Sequence, residues 1–195
     1  VVTRSIIQRS AVQQVRGRPV TWGVGADELG EVVGVDSHRL GGSELSEVIT
    51  VPTVGRMQMV KDPQGAAFYI LEPEPRDVSP DRDPEVGEAS WLELMTAAAD
   101  AAMPFYQELF GWQPSEAMDM GPMGKYYMFK RTFDLGGMMN KSAEMAQVPP
   151  HWGLYFRVAD INAVAERVTA NGGTIFNGPM EIPGGGWIVN CIDPQ

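Results

Sequence analysis

The sequence predicts an α+β fold made from a repeated unit of one strand, one helix and two or three further strands, with its first copy incomplete. Three observations predict it. The stretch Val51-Pro52-Thr53-Val54-Gly55-Arg56-Met57-Gln58-Met59-Val60-Lys61-Asp62-Pro63-Gln64 aligns without gaps on Ile182-Pro183-Gly184-Gly185-Gly186-Trp187-Ile188-Val189-Asn190-Cys191-Ile192-Asp193-Pro194-Gln195, at an offset of 131. From Glu88 onward, apolar alternation and helix caps run strand, helix, strands, and then the same again. Residues 1–50 break the pattern, with no Met, Phe, Tyr, Lys, Asn or Cys, although the chain carries 12 Met, 7 Phe and 5 Tyr.

Each element follows from local chemistry. Both copies of the repeat read as a Pro/Gly turn, a short apolar strand and an Asp-Pro-Gln turn. After the first copy Gly65-Ala66-Ala67-Phe68-Tyr69-Ile70-Leu71 closes a hairpin. Residues 73–87 hold the prolines and alternating charges of a linker. Glu88 to Met95 reads as a strand. Thr96 is the expected cap of a helix from about Ala97 to Phe110, ended by Gly111, with Phe105, Leu109 and Ala98, Ala101 and Ala102 as its inner stripe. Pro104 inside that helix is a cost, and points to a kink or a later start. Two strands, Lys125–Arg131 and Thr132–Met139, precede a loop through Pro149-Pro150. His151–Val158 is a strand, Asp160 caps a helix to Ala170, and Asn171-Gly172-Gly173 stops it. Thr174–Phe176 and Trp187–Ile192 are the remaining strands.

The expected organisation is therefore residues 1–50 as a poorly patterned remnant of a first module, 51–72 as its closing hairpin, 73–87 as linker and 88–195 as a second module lacking its last strand. Residues 1–50 read as degraded, badly diverged or out of frame, and the initial Val also fits a fragment. The hairpin at 57–71 has the design of the missing strand, so it is expected to supply the edge that the second module lacks. The unpaired edge also predicts pairing of two chains into a homodimer.

Composition excludes several classes. A formal charge of -10 leaves no basic surface for a nucleic-acid backbone. No apolar run approaches a membrane span and no leader is visible, so the expected location is cytoplasmic. Cys191, the single cysteine, cannot form an internal disulfide or a Cys-rich zinc site, and on a strand it reads as a small buried hydrophobe. Gly184-Gly185-Gly186 lacks the Lys-Ser/Thr of a phosphate loop, and Gly23-x-Gly25 lacks the spacing of a dinucleotide fingerprint.

Trp91-Leu92-Glu93-Leu94, Phe105-Tyr106-Gln107-Glu108-Leu109-Phe110-Gly111-Trp112, His151-Trp152-Gly153-Leu154-Tyr155-Phe156-Arg157-Val158-Ala159-Asp160 and Asp62-Pro63-Gln64-Gly65-Ala66 together resemble the vicinal oxygen chelate superfamily of glyoxalase I, bleomycin-resistance proteins and extradiol dioxygenases. The closest flavour is its tandem glyoxalase-like, hydroxylase-like subgroup. The resemblance covers about residues 50–195 and is more specific for fold than for function. It implies paired βαβββ modules whose curled sheets enclose a cleft. In metal-dependent members His, Glu or Gln side chains there hold a divalent cation that polarises substrate oxygens.

Aligned on that resemblance, the expected metal-ligand positions are Trp91, Gly153 and Tyr69, none of them a usual ligand. Glu93 and His151 lie two residues away on the same strand faces, so they could form a displaced metal pair. The alternative makes Glu93 a polar cleft residue and His151 a strand-entry residue bonded to nearby backbone. Trp91, Tyr155 and Trp187 lie on strands near the expected cleft, where rings can stack on a flat ligand, whereas alternation sends Trp152 to the helix side. Met118, Met120 and Met123 sit in a Gly/Pro stretch that could act as a lid.

The candidate ligand-binding residues are accordingly Trp91, Glu93, His151, Gly153, Tyr155, Trp187 and Tyr69. The expected function is metal-free binding of a small, partly aromatic organic molecule, by sequestration or as a diverged enzyme. The alternatives are a metal-dependent glyoxalase-type lyase or dioxygenase using Glu93 and His151, and an inactive fragment.

Overall fold

A computed structural model describes residues 2–4, 11–14, 37–74 and 83–195, the first two segments as backbone strands. The expected remnant at 1–50 and the linker at 73–87 lie largely outside these residues. The strands are β1 (Val2–Arg4), β2 (Ala11–Gln14), β3 (Ser43–Glu44), β4 (Ile49–Val51), β5 (Gly55–Lys61), β6 (Ala67–Pro73), β7 (Ala89–Thr96), β8 (Gln113–Asp119), β9 (Lys125–Lys130), β10 (Asp134–Asn140), β11 (His151–Phe156), β12 (Thr174–Glu181) and β13 (Trp187–Ile192). The helices that position the site are α1 (Ala99–Phe110), between β7 and β8, and α2 (Ile161–Ala170), between β11 and β12. None of the described helices is long and apolar enough to cross a membrane.

The eight-stranded sheet has the order β12-β13-β1-β11-β7-β10-β9-β8. It falls into two βαβββ-like halves meeting at the antiparallel β7–β11 pair. In the half that begins at β7, strand β10 sits between β7 and β9, parallel to the former and antiparallel to the latter. The corresponding place in the other half, between β11 and β13, is held by β1, antiparallel to β11 and parallel to β13. The slot is thus filled in the reverse direction, and by residues 2–4. This overturns the expectation that the hairpin at 57–71 fills it. β5 and β6 belong to a separate sheet of order β2-β6-β5-β3, with β4 also paired to β5.

The 131-residue repeat is visible in hydrogen bonds. Asp62 Oδ1 accepts from the Gln64 N–H at 3.0 Å, and Asp193 Oδ1 accepts from the Gln195 N–H at 3.1 Å. Both are side-chain-stabilised turns of the kind that Asp favours. In the first copy Asp62 Oδ1 also accepts from the Ala66 N–H at 2.8 Å, which starts β6.

Local chemistry explains both helix ends and one departure. Asp160 Oδ1 accepts from the N–H groups of Asn162 and Ala163, and Gly111 ends α1 with φ 69°. Thr96, however, closes β7 instead of capping α1. The orphan N–H of Ala99 is bonded by Asn140 Oδ1 at 2.8 Å, from the end of β10, and the buried Thr96 hydroxyl finds no hydrogen-bond partner among the described residues. A long-range partner has replaced the local one. Pro104 stays within α1, and the buried stripe is Ala99, Ala102, Met103, Phe105 and Tyr106, with Ala101 exposed.

The second departure is β8. Gln113–Asp119 forms an edge strand on β9, so Met118 belongs to a strand and Met120 to the turn that follows it.

The core lies on the α1 side of the large sheet. Leu94, Met138, Phe129, Trp152 and Trp112 pack there with Phe105 and Tyr106, and Val60, Ala66, Phe68 and Ile70 of the hairpin close over the helix. Phe68 meets Phe105, Tyr106 and Phe110 at centroid distances of 5.6 to 6.3 Å. A polar thread runs through this apolar mass. Trp152 Nε1–H donates to the Tyr106 hydroxyl at 3.2 Å, which donates to Asp62 Oδ2 at 2.8 Å. Burial is the largest influence on Asp62 and raises its pKa, while burial and then the neighbouring Asp62 raise that of Tyr106 well above the usual phenol range.

Candidate functional site

The sheet face opposite α1 carries the candidate site. Leu92 and Leu94 of β7 point into the core, so alternation turns Trp91, Glu93 and Met95 to the other side. In the β7–β11 register Tyr155 stands opposite Trp91, Gly153 opposite Glu93 and His151 opposite Met95, which puts all six on one face. Across β10, Gly137 lies beside Glu93 and Met139 beside Met95, and Tyr126 of β9 stands opposite Met139.

Glu93 is the centre of this face. The Tyr155 hydroxyl donates to its Oε1 at 3.0 Å and the Tyr126 hydroxyl to its Oε2 at 3.1 Å. Trp91 Nε1–H donates in turn to the Tyr126 oxygen at 2.7 Å. Tyr126 and Tyr155 are buried, at 7% and 5% exposure, yet neither belongs to the core cluster. Both tyrosine hydroxyls converge on one carboxyl group. Burial is the largest influence on that carboxyl and pushes its pKa above the ordinary glutamate range, against the two tyrosine hydrogen bonds. Burial, and then the charge of Glu93, raise the Tyr126 pKa too, so that hydroxyl stays protonated at any physiological pH.

A pair of glycines makes this geometry fit. A Cβ on Gly137 would lie 2.0 Å from Tyr126 Cε1, so the tyrosine ring lies flat across the backbone of β10 on its way to Glu93. A Cβ on Gly136, facing the core, would lie 2.0 Å from the Leu92 carbonyl oxygen and 2.7 Å from the Phe129 ring. Successive glycines in a strand mark close approach on both faces.

Of the expected site residues, Trp91, Glu93, Gly153 and Tyr155 are brought together, and His151 joins their face from the strand start. His151 Nδ1 lies 2.9 Å from the Pro149 carbonyl oxygen, a bond to nearby backbone. Trp187 is not brought in. It shares strand parity with the buried Val189 and Cys191, which places it on the helix side at 48% exposure. Tyr69 lies in the other sheet, opposite Met59. Tyr126 was missed by sequence reasoning; the available signal was Gly136-Gly137 on the strand facing Tyr126-Tyr127.

The metal chemistry implied by the resemblance was tested against these donors. On this face Glu93 supplies a single carboxylate, Gly153 has no side chain, and Trp91 offers only an N–H donor. Among the described residues no group of three or more His, Cys, Asp or Glu side chains could hold a cation. The residues present do not fit a cation site of the usual three or four N/O ligands.

Two βαβββ-like halves around one sheet face define a glyoxalase-type fold, and the family model of the Glyoxalase/Bleomycin resistance protein/Dioxygenase superfamily matches residues 89–195. The chain belongs to that superfamily. It is 31% identical over 183 residues to CFP32 of Mycobacterium tuberculosis, a provisionally assigned glyoxylase, covering 92% of this chain and 68% of that protein. The anthracycline biosynthesis protein DnrV of Streptomyces peucetius is 29% identical over 178 residues, covering 87% of this chain and 61% of that one. A solved structure of a homoprotocatechuate 2,3-dioxygenase variant from B. fuscum superimposes with a TM-score of 0.55 at 15% identity, over 93% of this chain and 54% of that chain.

Proposed function

We propose that the chain is a glyoxalase-like module that binds a small, partly aromatic organic molecule without a metal ion, on the sheet face centred on Glu93. One observation carries the reading: a carboxyl enclosed in the sheet face receives two tyrosine hydroxyls, beside the indole of Trp91, on the face where the resemblance implies metal ligands. Aromatic edges supply contact area and the carboxyl supplies orientation, the usual division of labour in a small-molecule site. The relationship to DnrV, named for anthracycline biosynthesis, supports an aromatic ligand class. Binding can serve sequestration or a diverged reaction.

The test is a thermal-shift and tryptophan-fluorescence screen of flat aromatic compounds, run before and after exhaustive dialysis against a chelator. Bound ligand at about 100-fold over Kd stabilises a protein by about 2.7 kcal/mol, a readily measured shift. Saturable binding that survives chelation is the expected result. About one divalent cation per chain, retained through mild dialysis and lost in Glu93→Ala, would overturn the metal-free reading in favour of a glyoxalase-type lyase or dioxygenase.

A further inference from the structure

Among the described residues, Glu93 has no charged partner. Among the described residues, the influences acting on its carboxyl are burial and the hydroxyls of Tyr155 and Tyr126, and no Lys, Arg or His is among them. The ion pairs Arg39–Glu108 and Arg56–Glu72 lie elsewhere. Buried charges in proteins are paired, bound to a cation, or neutralised, because removing an isolated carboxylate from water is costly. The donor set around Glu93 does not suit a metal ion, as shown above. It does suit an organic cation, because two tyrosines hydrogen-bonded to the carboxylate, with Trp91 bonded to one of them, combine a counter-charge with rings able to face a cation at short range.

We infer that the ligand of this face carries a protonated amine, and that Glu93 is its counter-ion, with Trp91, Tyr126 and Tyr155 forming the aromatic wall around the ammonium group. The inference rests on the proposed function and narrows it to aromatic compounds that carry an alkylammonium group. The tyrosine hydroxyls take up one lone pair on each carboxylate oxygen, and the second lone pair on each remains for an ammonium N–H. The other titratable group that register places on this face is His151, whose Nδ1 is engaged by the Pro149 carbonyl.

The experiment uses matched pairs that differ only in the charged group: tyramine against tyrosol and tryptamine against tryptophol, titrated calorimetrically at neutral pH and low salt. The expected result is at least tenfold tighter binding of each amine than of its alcohol. That preference should fall to about one in Glu93→Gln, whose folding is checked by circular dichroism, and should persist in Asp160→Asn, at the cap of α2. Equal affinity for amine and alcohol in the native chain overturns the amine inference and leaves the proposed function standing. Binding of neutral or anionic polycyclic aromatics with no binding of the amines has the same meaning. Failure of every aromatic compound, charged or neutral, overturns both.

Discussion

Replacing Tyr106 with Phe keeps the ring in the core and deletes one oxygen from the thread between the β5–β6 hairpin and the large sheet. Tyr106 is fully buried, Asp62 is 2% exposed and Trp152 5%, so no water is at hand to replace the hydroxyl. Asp62 Oδ2 loses its donor and Trp152 Nε1 loses its acceptor. A buried polar group left without a partner costs about 1–3 kcal/mol, so the two together should cost roughly 2–6 kcal/mol. In a protein of this size that lowers Tm by roughly 4–24 °C. The variant should also respond to pH. Without the tyrosine hydrogen bond the folded-state pKa of Asp62 rises further above its unfolded value. A raised folded pKa contributes stability that is present at acid pH and lost as pH rises through it. The deficit of Tyr106→Phe relative to the native chain should therefore be largest at neutral pH and shrink on acidification. Chemical denaturation at several pH values measures it. A neutral-pH loss under about 0.5 kcal/mol, the range of an ordinary surface substitution, would refute the claim that this thread joins the hairpin to the sheet.

Three further outcomes follow from the same geometry. Glu93→Gln removes a carboxyl whose folded-state pKa lies above its unfolded value, so it should stabilise the free protein at neutral pH, and the gain should vanish as pH falls below the ordinary glutamate range of about 4, in urea denaturation. Gly137→Ala puts a Cβ 2.0 Å from the Tyr126 ring, and should cost about 1–3 kcal/mol and change the near-ultraviolet dichroism of Trp91 and Tyr126, whereas an unchanged spectrum would show that the ring does not lie on β10. Asp160→Ala deletes the cap of α2 and should cost about 1 kcal/mol by thermal unfolding, with Asp160→Asn close to neutral.

Features encoded within a few residues were legible in the sequence. Asp160 before a helix, Gly111 and Asn171-Gly172-Gly173 after one, and the Asp-Pro-Gln turns each act on their own neighbours, so the chain alone reveals them. The site was half legible for the same reason: period-two parity places Trp91 with Glu93 and Gly153 with Tyr155, and the β7–β11 register joins the two pairs. What escaped depends on partners distant in sequence. Thr96 is a good cap by type, but Asn140 reaches the same N–H from another strand. β8 is an almost wholly exposed edge strand containing Pro114, so no apolar alternation marks it. Tyr126 reaches Glu93 only because Gly137 leaves the space, a condition set across two strands. Trp187 is misplaced if strand position alone is considered, since its parity with Val189 and Cys191 decides the face.

At Gly136-Gly137 the sheet is thinned to bare backbone, with the Phe129 ring against one surface and the Tyr126 ring against the other. Elsewhere in β10 a side chain on each surface holds neighbours apart, as Met138 does in the core. At this point the partition between hydrophobic interior and binding face is one polypeptide thick. Phe129 stacks on Trp112 at 4.3 Å, and Trp112 on Tyr106 at 5.5 Å, so a stack of rings runs from α1 to the thin spot. Substitutions in that stack, although they touch nothing on the ligand side, should shift the tyrosine that holds Glu93. Core and site are therefore constrained to vary together here.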